Sequence, residues 1–115
     1  MQSNIYGKKS EIIAAEFLKQ KGYKIIGVNH KNKIGEIDII AQDKNYLVFV
    51  EVKARLSRAF GDPLEAVDYR KQQKIRRVAE LYLLMKRKTN VNCRFDVISI
   101  LGNENLEINH IENAF

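Results

Sequence analysis

The chain has 115 residues, a length that normally forms one domain around a single hydrophobic core, so we expect one domain over residues 1–115. Hydrophobic types make up 45% of the chain and charged types 30%, which excludes a disordered tail and predicts a modest core beneath an ionic surface. Lys and Arg number 20 against 14 Asp and Glu, and the net charge of +6 favours polyanionic partners.

The sequence also excludes several classes of protein. A lone cysteine, Cys93, cannot form an intramolecular disulfide or a multi-cysteine zinc site, and it fits a reducing compartment. No apolar run approaches the roughly 20 residues that span a bilayer, and the first four residues do not resemble the start of a signal peptide. We therefore expect a soluble cytoplasmic protein with no membrane partner.

Residues 4 to 21 predict a first helix, with Ser3 or Asn4 able to cap its start. Gly22 suits the left-handed position just past the end of a helix. With the residues projected at about 100° each, the stripe expected to be buried consists of Ile13, Ala14, Phe17 and Leu18.

Three strands are predicted next. Residues 23 to 30 form the first, residues 31 to 35 its turn, and residues 36 to 42 and 46 to 54 the second and third. The polar segment between the last two strands is typical of a hairpin turn. Both faces of the third strand carry apolar residues, which predicts a central position in the sheet; these residues are Leu47, Val48, Phe49, Val50 and Val52.

The second half of the chain predicts one more helix and two more strands. Residues 55 to 63 form a loop that ends at the single proline, and residues 68 to 88 form the helix. Residues 93 to 101 and 106 to 111 make a last hairpin. On the helix, the face expected to be buried holds Ile75, Val78, Ala79, Tyr82 and Met85, and the opposite face holds Arg70, Arg76, Arg77 and Arg87. The fold class is α/β, a mixed central β-sheet flanked by helices in the order α-β-β-β-α-β-β.

The first hairpin brings together side chains that can carry chemistry. If Lys44 and Asn45 form its loop, Asp38 lies directly opposite Glu51, and directly paired side chains share one face at roughly 4.5–5.5 Å between β-carbons. Faces alternate along a strand, so Glu51 and Lys53 also share that face. Glu36 falls opposite Lys53, where it would support the site or pair with the lysine.

Neighbouring carboxylates repel each other, and a hard divalent cation neutralises them well. Mg²⁺ takes one or two carboxylates and keeps waters in its other positions, while it polarises a phosphoryl oxygen. Asp38 and Glu51 would hold Mg²⁺ or Mn²⁺, and Lys53 would position or deprotonate the attacking water or balance charge on the phosphate. The alternative interpretation is an ordinary solvent-exposed set of cross-strand charges.

These residues resemble a known nuclease signature. Asp38, followed on the next strand by Glu51-x-Lys53, resembles the PD-(D/E)XK motif, with Ile37 where many members carry proline. Over almost the whole chain the sequence resembles the YraN family of small bacterial proteins, which is similar to archaeal-type Holliday junction resolvases. The segments that carry this likeness are Gly35–Asp38, Phe49–Arg55, Cys93–Val97 and Asn113–Phe115. The resemblance implies a restriction-endonuclease-like fold and metal-dependent cleavage.

Nucleases of this kind usually take one more carboxylate from the first helix, which here offers Glu11 and Glu16. Glu16 lies opposite the apolar stripe and should face solvent. Glu11 lies at the edge of that stripe, and its spacing before Gly22 is similar to that of the resolvase glutamate. We therefore assign Glu11 as the third catalytic and metal-binding carboxylate, with an ordinary helix-surface acid as the alternative.

Basic residues around this cluster are candidate contacts to a nucleic-acid backbone. Lys71 falls on the apolar stripe of the second helix, from which it would project towards Glu51; the alternative is a lysine whose stem merely covers the edge of the core. The other candidates are Arg55, Arg58, Lys8 and Lys9.

The leading hypothesis is a metal-dependent endonuclease-like protein that binds nucleic acid, with structured DNA as the expected substrate. The alternatives are a nucleic-acid-binding module that keeps the fold without turnover and a protein-interaction subunit whose charge serves solubility. A homodimer is a further expectation from the resemblance, because junction-cutting relatives act as two-fold pairs. No role is assigned to His30 or His110, and Cys93 is expected to be a packed thiol.

Overall fold

Residues 8–56 and 67–115 are the part of the chain that the computed structural model describes, and they form two helices and five strands. The order is the predicted α-β-β-β-α-β-β. The proposed helix caps Ser3 and Asn4, and most of the predicted loop with Pro63, lie outside the described residues. The elements are α1 (Lys8–Gln20), β1 (Lys24–Lys31), β2 (Glu36–Asp43), β3 (Tyr46–Arg55), α2 (Tyr69–Met85), β4 (Asn92–Leu101) and β5 (Glu107–Ile111).

The five strands form one mixed sheet in the order β1-β2-β3-β4-β5. The β3–β4 pair is parallel and the other three pairs are antiparallel. Strand β3 is central, as its apolar faces predict, and it separates two cores. Val48 and Val50 pack with α1, whereas Leu47 and Phe49 pack with α2.

The end of α1 shows how sequence sets a boundary. Gly22 has a φ of 95°, as predicted for the residue after the helix. Its N–H donates to the carbonyl of Lys19, and the N–H of Tyr23 donates to that of Leu18. This Schellman arrangement satisfies two terminal carbonyls and turns the chain into β1.

Helix α2 begins at an N-cap, Asp68, whose Oδ1 accepts a hydrogen bond from the N–H of Lys71 at 2.9 Å. The predicted stripe is buried at Ile75, Val78, Ala79 and Tyr82. The prediction is wrong for Met85, which is 69% exposed. Met85 lies in the last turn of α2, where the helix faces the β1–β2 turn rather than the sheet.

A buried ionic network lies on the α1 side of the sheet, and sequence reasoning assigned it no role. Arg94 donates to both carboxylate oxygens of Asp96 at 3.0 Å, to Asp43 Oδ2 at 3.0 Å and to the Tyr23 hydroxyl at 2.6 Å. His110 Nε2 lies 2.7 Å from Asp96 Oδ2. Among the described residues, every buried side-chain polar atom has a hydrogen-bond partner. The network thus joins β4 to β5, to the end of β2 and to the residue that precedes β1.

Neither helix of the described part of the chain is long and apolar enough to cross a membrane.

Candidate functional site

The β2–β3 hairpin has the predicted register. Asp43 pairs with Tyr46 across the two-residue loop, and the ladder runs to Ile39 opposite Val50. Just beyond this last backbone pair, the N–H of Val52 donates to Asp38 Oδ2 at 2.8 Å. This hydrogen bond anchors the Asp38 carboxylate where the backbone ladder ends.

Asp38 and Glu51 lie in one cleft of about 500 Å³ between the sheet and α2. The two carboxylates therefore share the cleft, as the register implies. The remaining wall residues come from the β1–β2 turn, the start of β2 and the first turns of α2; they are Lys31, Asn32, Gly35, Glu36, Lys71, Lys74 and Ile75.

The environment of Asp38 favours its protonated form. Burial, a hydrogen bond with Glu51 and the negative charge of Glu51 together raise the pKa of Asp38 to about 8. The charge of Glu11 adds to this effect, and the hydrogen bond from Val52 opposes it. Asp38 thus tends to keep its proton beside Glu51, and a bound cation could take the place of that proton.

Glu51 has a cationic neighbour. Its side chain is only 11% exposed, and its Oε2 lies 3.3 Å from Lys71 Nζ. The Asp68 cap fixes the first turn of α2, from which the lysine reaches across to β3. The sequence-based expectation that Lys71 projects towards Glu51 agrees with this contact, whereas its contact to phosphate stays a prediction.

Lys53 and Lys71 influence each other's protonation. Burial and the neighbouring Lys71 ammonium lower the pKa of Lys53, although Glu51 and Asp38 oppose the effect. Burial alone would lower the pKa of Lys71, but its hydrogen bond with Lys53 and the charge of Glu51 raise it. Lys71 therefore keeps its proton beside Glu51, and Lys53 is the lysine that more readily becomes a neutral amine.

The first helix contributes less directly. Glu11 is half-buried and acts on Asp38 through its charge, whereas Glu16 is exposed and pairs with Lys19 at 3.4 Å, as expected for a solvent-facing acid. Within the described residues, no group of three or more His, Cys, Asp or Glu side chains is close enough to hold a metal ion. The role of Glu11 as a third metal ligand stays a prediction.

The remaining basic candidates are dispersed. Arg55 is half-buried at the end of β3, and Lys9 is exposed on α1. Arg58 and the side chain of Lys8 lie outside the described residues. The cleft instead contains Lys31 and Lys74, which sequence reasoning missed. Lys31 ends β1 and pairs with Glu36 at 4.0 Å, a partner that neither alternative for Glu36, support of the site or pairing with Lys53, included.

Gly35 allows the β1–β2 turn to approach α2 closely. A Cβ at this position would lie 3.0 Å from Lys74 Cε and 3.2 Å from Val78 Cγ2, and Val78 is fully buried. The flexible Lys74 side chain can move aside, but the buried Val78 would have to give by a few tenths of an ångström to accommodate a larger residue. The glycine in the Gly35–Asp38 motif has a steric role.

Comparison with known proteins gives a consistent result. The family model described as "Uncharacterised protein family UPF0102" matches residues 10–100, a segment that contains Glu11, Asp38, Glu51 and Lys53. A UPF0102 protein of Alkaliphilus oremlandii is 51% identical over 112 residues, which are 95% of this chain and 96% of the relative.

Two further relatives come from other bacteria. A UPF0102 protein of Caldanaerobacter subterraneus subsp. tengcongensis is 51% identical over 113 residues, covering 95% of this chain and 93% of its own. A UPF0102 protein of Thermodesulfovibrio yellowstonii is 49% identical over 109 residues, which are 95% of this chain and 94% of the relative. The likeness therefore extends over nearly the full length of each protein.

Proposed function

The chain belongs to the UPF0102 family, which is the YraN group, and from that premise we propose that it is a metal-dependent endonuclease-like protein acting on structured DNA. The observation that carries the proposal is the pairing of Asp38 and Glu51 in one cleft, with the pKa of Asp38 raised to about 8. A carboxyl group with a strongly raised pKa, next to a second carboxylate in a cleft, is typical of a functional site.

The residues present fit Mg²⁺ or Mn²⁺. Such ions are bound in nucleic-acid enzymes by one or two carboxylates together with water and substrate phosphate, and Asp38 and Glu51 supply two carboxylates. Glu11 would add negative charge from α1. When bound, the ion would supply Lewis acidity towards a phosphoryl oxygen.

The two lysines would have different tasks in the reaction. In its unprotonated form, which burial and the neighbouring Lys71 favour, Lys53 would accept a proton from the attacking water as the new P–O bond forms. Lys71 would stay cationic and stabilise the negative charge on the phosphoryl oxygens. The opposite P–O bond then breaks, and the leaving alkoxide takes a proton from solvent.

The proposal is tested by cleavage of branched, nicked and linear DNA with and without Mg²⁺ or Mn²⁺. We expect cleavage that a chelator abolishes and that Asp38→Ala and Lys53→Ala each reduce roughly 10²-fold or more, the scale of lost acid–base catalysis. Glu16→Gln is the matched control, because it removes an exposed carboxylate from α1 and should leave the rate unchanged. Cleavage that survives both site substitutions would reject the assigned residues.

One observation favours a second candidate, a nucleic-acid-binding module without turnover. Lys71 already compensates Glu51 at 3.3 Å, so the acidic pair can persist without a metal ion. Titration with Mn²⁺ separates the two functions. The nuclease requires measurable affinity for Mn²⁺, and Asp38→Ala should remove that affinity. Absence of Mn²⁺ binding, together with retained DNA binding, would favour the binding module.

A further inference from the structure

A second groove adjoins the acidic cleft. It has a volume of about 470 Å³ and lies between the β1–β2 turn, with Lys31, Asn32 and Lys33, and the last turns of α2, with Leu81 and Met85. Lys31 and Asn32 line both the cleft and this groove. The two depressions are therefore neighbours on the surface, on either side of residues that they share.

The groove has an apolar side and a cationic side. Met85 is 69% exposed in spite of its apolar side chain, and Leu81 is half-buried beside it. Lys31 and Lys33 are exposed on the opposite wall. Methionine is over-represented at binding surfaces that adapt to their ligands, since its side chain is flexible and polarisable.

Hydrogen bonds hold the wall between the two depressions in place. Asn32 Oδ1 accepts from the N–H of Ile34 at 3.0 Å, and the N–H of Asn32 donates to the Gly35 carbonyl at 2.9 Å. Asn32 Nδ2 donates to the carbonyl of Val78 in α2 at 3.3 Å. The turn is thereby tied to the helix, and the groove exists before any ligand binds.

The apolar side and the cationic side of the groove together match a single nucleotide better than a duplex. Pockets of roughly 300–1,000 Å³ take ligands of small-molecule size. An unpaired base offers an apolar face to such a surface while its phosphates meet flanking cations. A paired base has its faces covered by stacking and presents only its edges in the grooves.

We propose that this groove binds an unpaired nucleotide adjacent to the phosphate in the acidic cleft, so that the substrate class is DNA with an unpaired nucleotide at the cleavage position. The base would pack on Leu81 and Met85, and Lys31 and Lys33 would contact the phosphates that flank it. The inference rests on the proposed function, because the adjoining phosphate is the one to be cleaved.

The test is fluorescence anisotropy at low ionic strength without divalent cations, so that no cleavage is needed. The probes are a labelled blunt duplex, the same duplex with one unpaired nucleotide, and the single strand. The variants are Met85→Ser and Leu84→Ser, which change two adjacent exposed apolar residues of α2. Met85 lines the groove and Leu84 does not, so Leu84→Ser is the control. Thermal unfolding checks that both variants fold.

We expect the wild type to bind both probes with unpaired bases more tightly than the blunt duplex. Met85→Ser should weaken that binding roughly fivefold, as expected when a base loses an apolar contact, and leave the duplex unaffected. Leu84→Ser should change neither affinity. Equal effects of the two variants, or equal wild-type affinity for all three probes, would overturn the inference.

The outcomes also separate this inference from the proposed function. Retained preference for unpaired bases without any metal-dependent cleavage would reject the nuclease and leave the groove assignment standing. If none of the three probes binds, both the groove assignment and the nuclease proposal are rejected.

Discussion

Ionisation of the Asp38 carboxyl group costs more free energy in the folded chain than in the unfolded chain. Burial and the neighbouring Glu51 raise its pKa from 3.8 to about 8. Between these two pH values the folded state holds a proton that the unfolded state has released. The group therefore stabilises the protein at low pH and loses this contribution as the pH rises.

Without divalent cations, we expect the free energy of unfolding to fall as the pH is raised from about 4 to about 8, by at most about 1.4 kcal/mol per pH unit from this group. Urea denaturation at several pH values measures this slope. Asp38→Asn should flatten it, whereas Glu36→Gln, an exposed carboxylate on the same strand, should preserve it. A slope that is unchanged in Asp38→Asn would show that the proton is held elsewhere.

At the scale of secondary structure, the first turn of α2 links fold to site. Asp68 caps the helix through the N–H of Lys71, and the side chain of the same lysine reaches Glu51. A single helix terminus thus satisfies a backbone donor and positions a cation. The capping residue is important for the site although it does not line the cleft.

Asp68→Ala should lower the free energy of unfolding by about 1 kcal/mol, because the N–H of Lys71 loses its acceptor. Asp68→Ser should restore most of this loss, since a serine hydroxyl can also accept at the N-cap. Chemical denaturation of the three proteins measures the effect. Equal stability of the alanine and serine variants would mean that the side-chain cap contributes nothing.

At the scale of the whole molecule, the Arg94–Asp96 network connects elements that are far apart in sequence. Burial alone would raise the pKa of Asp96, but hydrogen bonds from His110, Arg94 and the N–H of Asn113 lower it below its ordinary value. Lys21 Nζ lies 2.7 Å from His110 Nδ1; because an ammonium group can only donate, Nδ1 accepts and Nε2 donates to Asp96.

Asp96→Ala should cost about 3–5 kcal/mol of stability, the usual effect of leaving a buried cation without its partner. Glu112→Gln is the control, because Glu112 lies 3.5 Å from Arg94 but is 52% exposed and should contribute less than about 1 kcal/mol. Chemical denaturation compares them. A cost for Asp96→Ala no larger than that for Glu112→Gln would refute the structural role of the network.

The lowered pKa of Asp96 also means that its contribution to stability is lost as the pH falls through that pKa, a dependence opposite in sign to that of Asp38.

Much of the fold and part of the site were predictable because they depend on local patterns. The polar loop at Lys44–Asn45 and the alternation in β3 predict the hairpin register, and the register brings Asp38 to Glu51. The groove was not predictable. Met85 fits the helical period of the buried stripe, yet nothing in that period tells where the opposing sheet ends.

The amino-acid sequence by itself determined the order of the elements, the central position of β3 and the hairpin register that places the two carboxylates on one face, because periodicity and turn residues act over a few positions. Only the tertiary structure decided that Lys31 and Lys74 enter that cleft and that Arg94 meets Tyr23, 71 positions away along the chain. Such contacts depend on how a helix and a turn pack against the sheet. That packing is set by the summed burial of many side chains, and no local pattern encodes it.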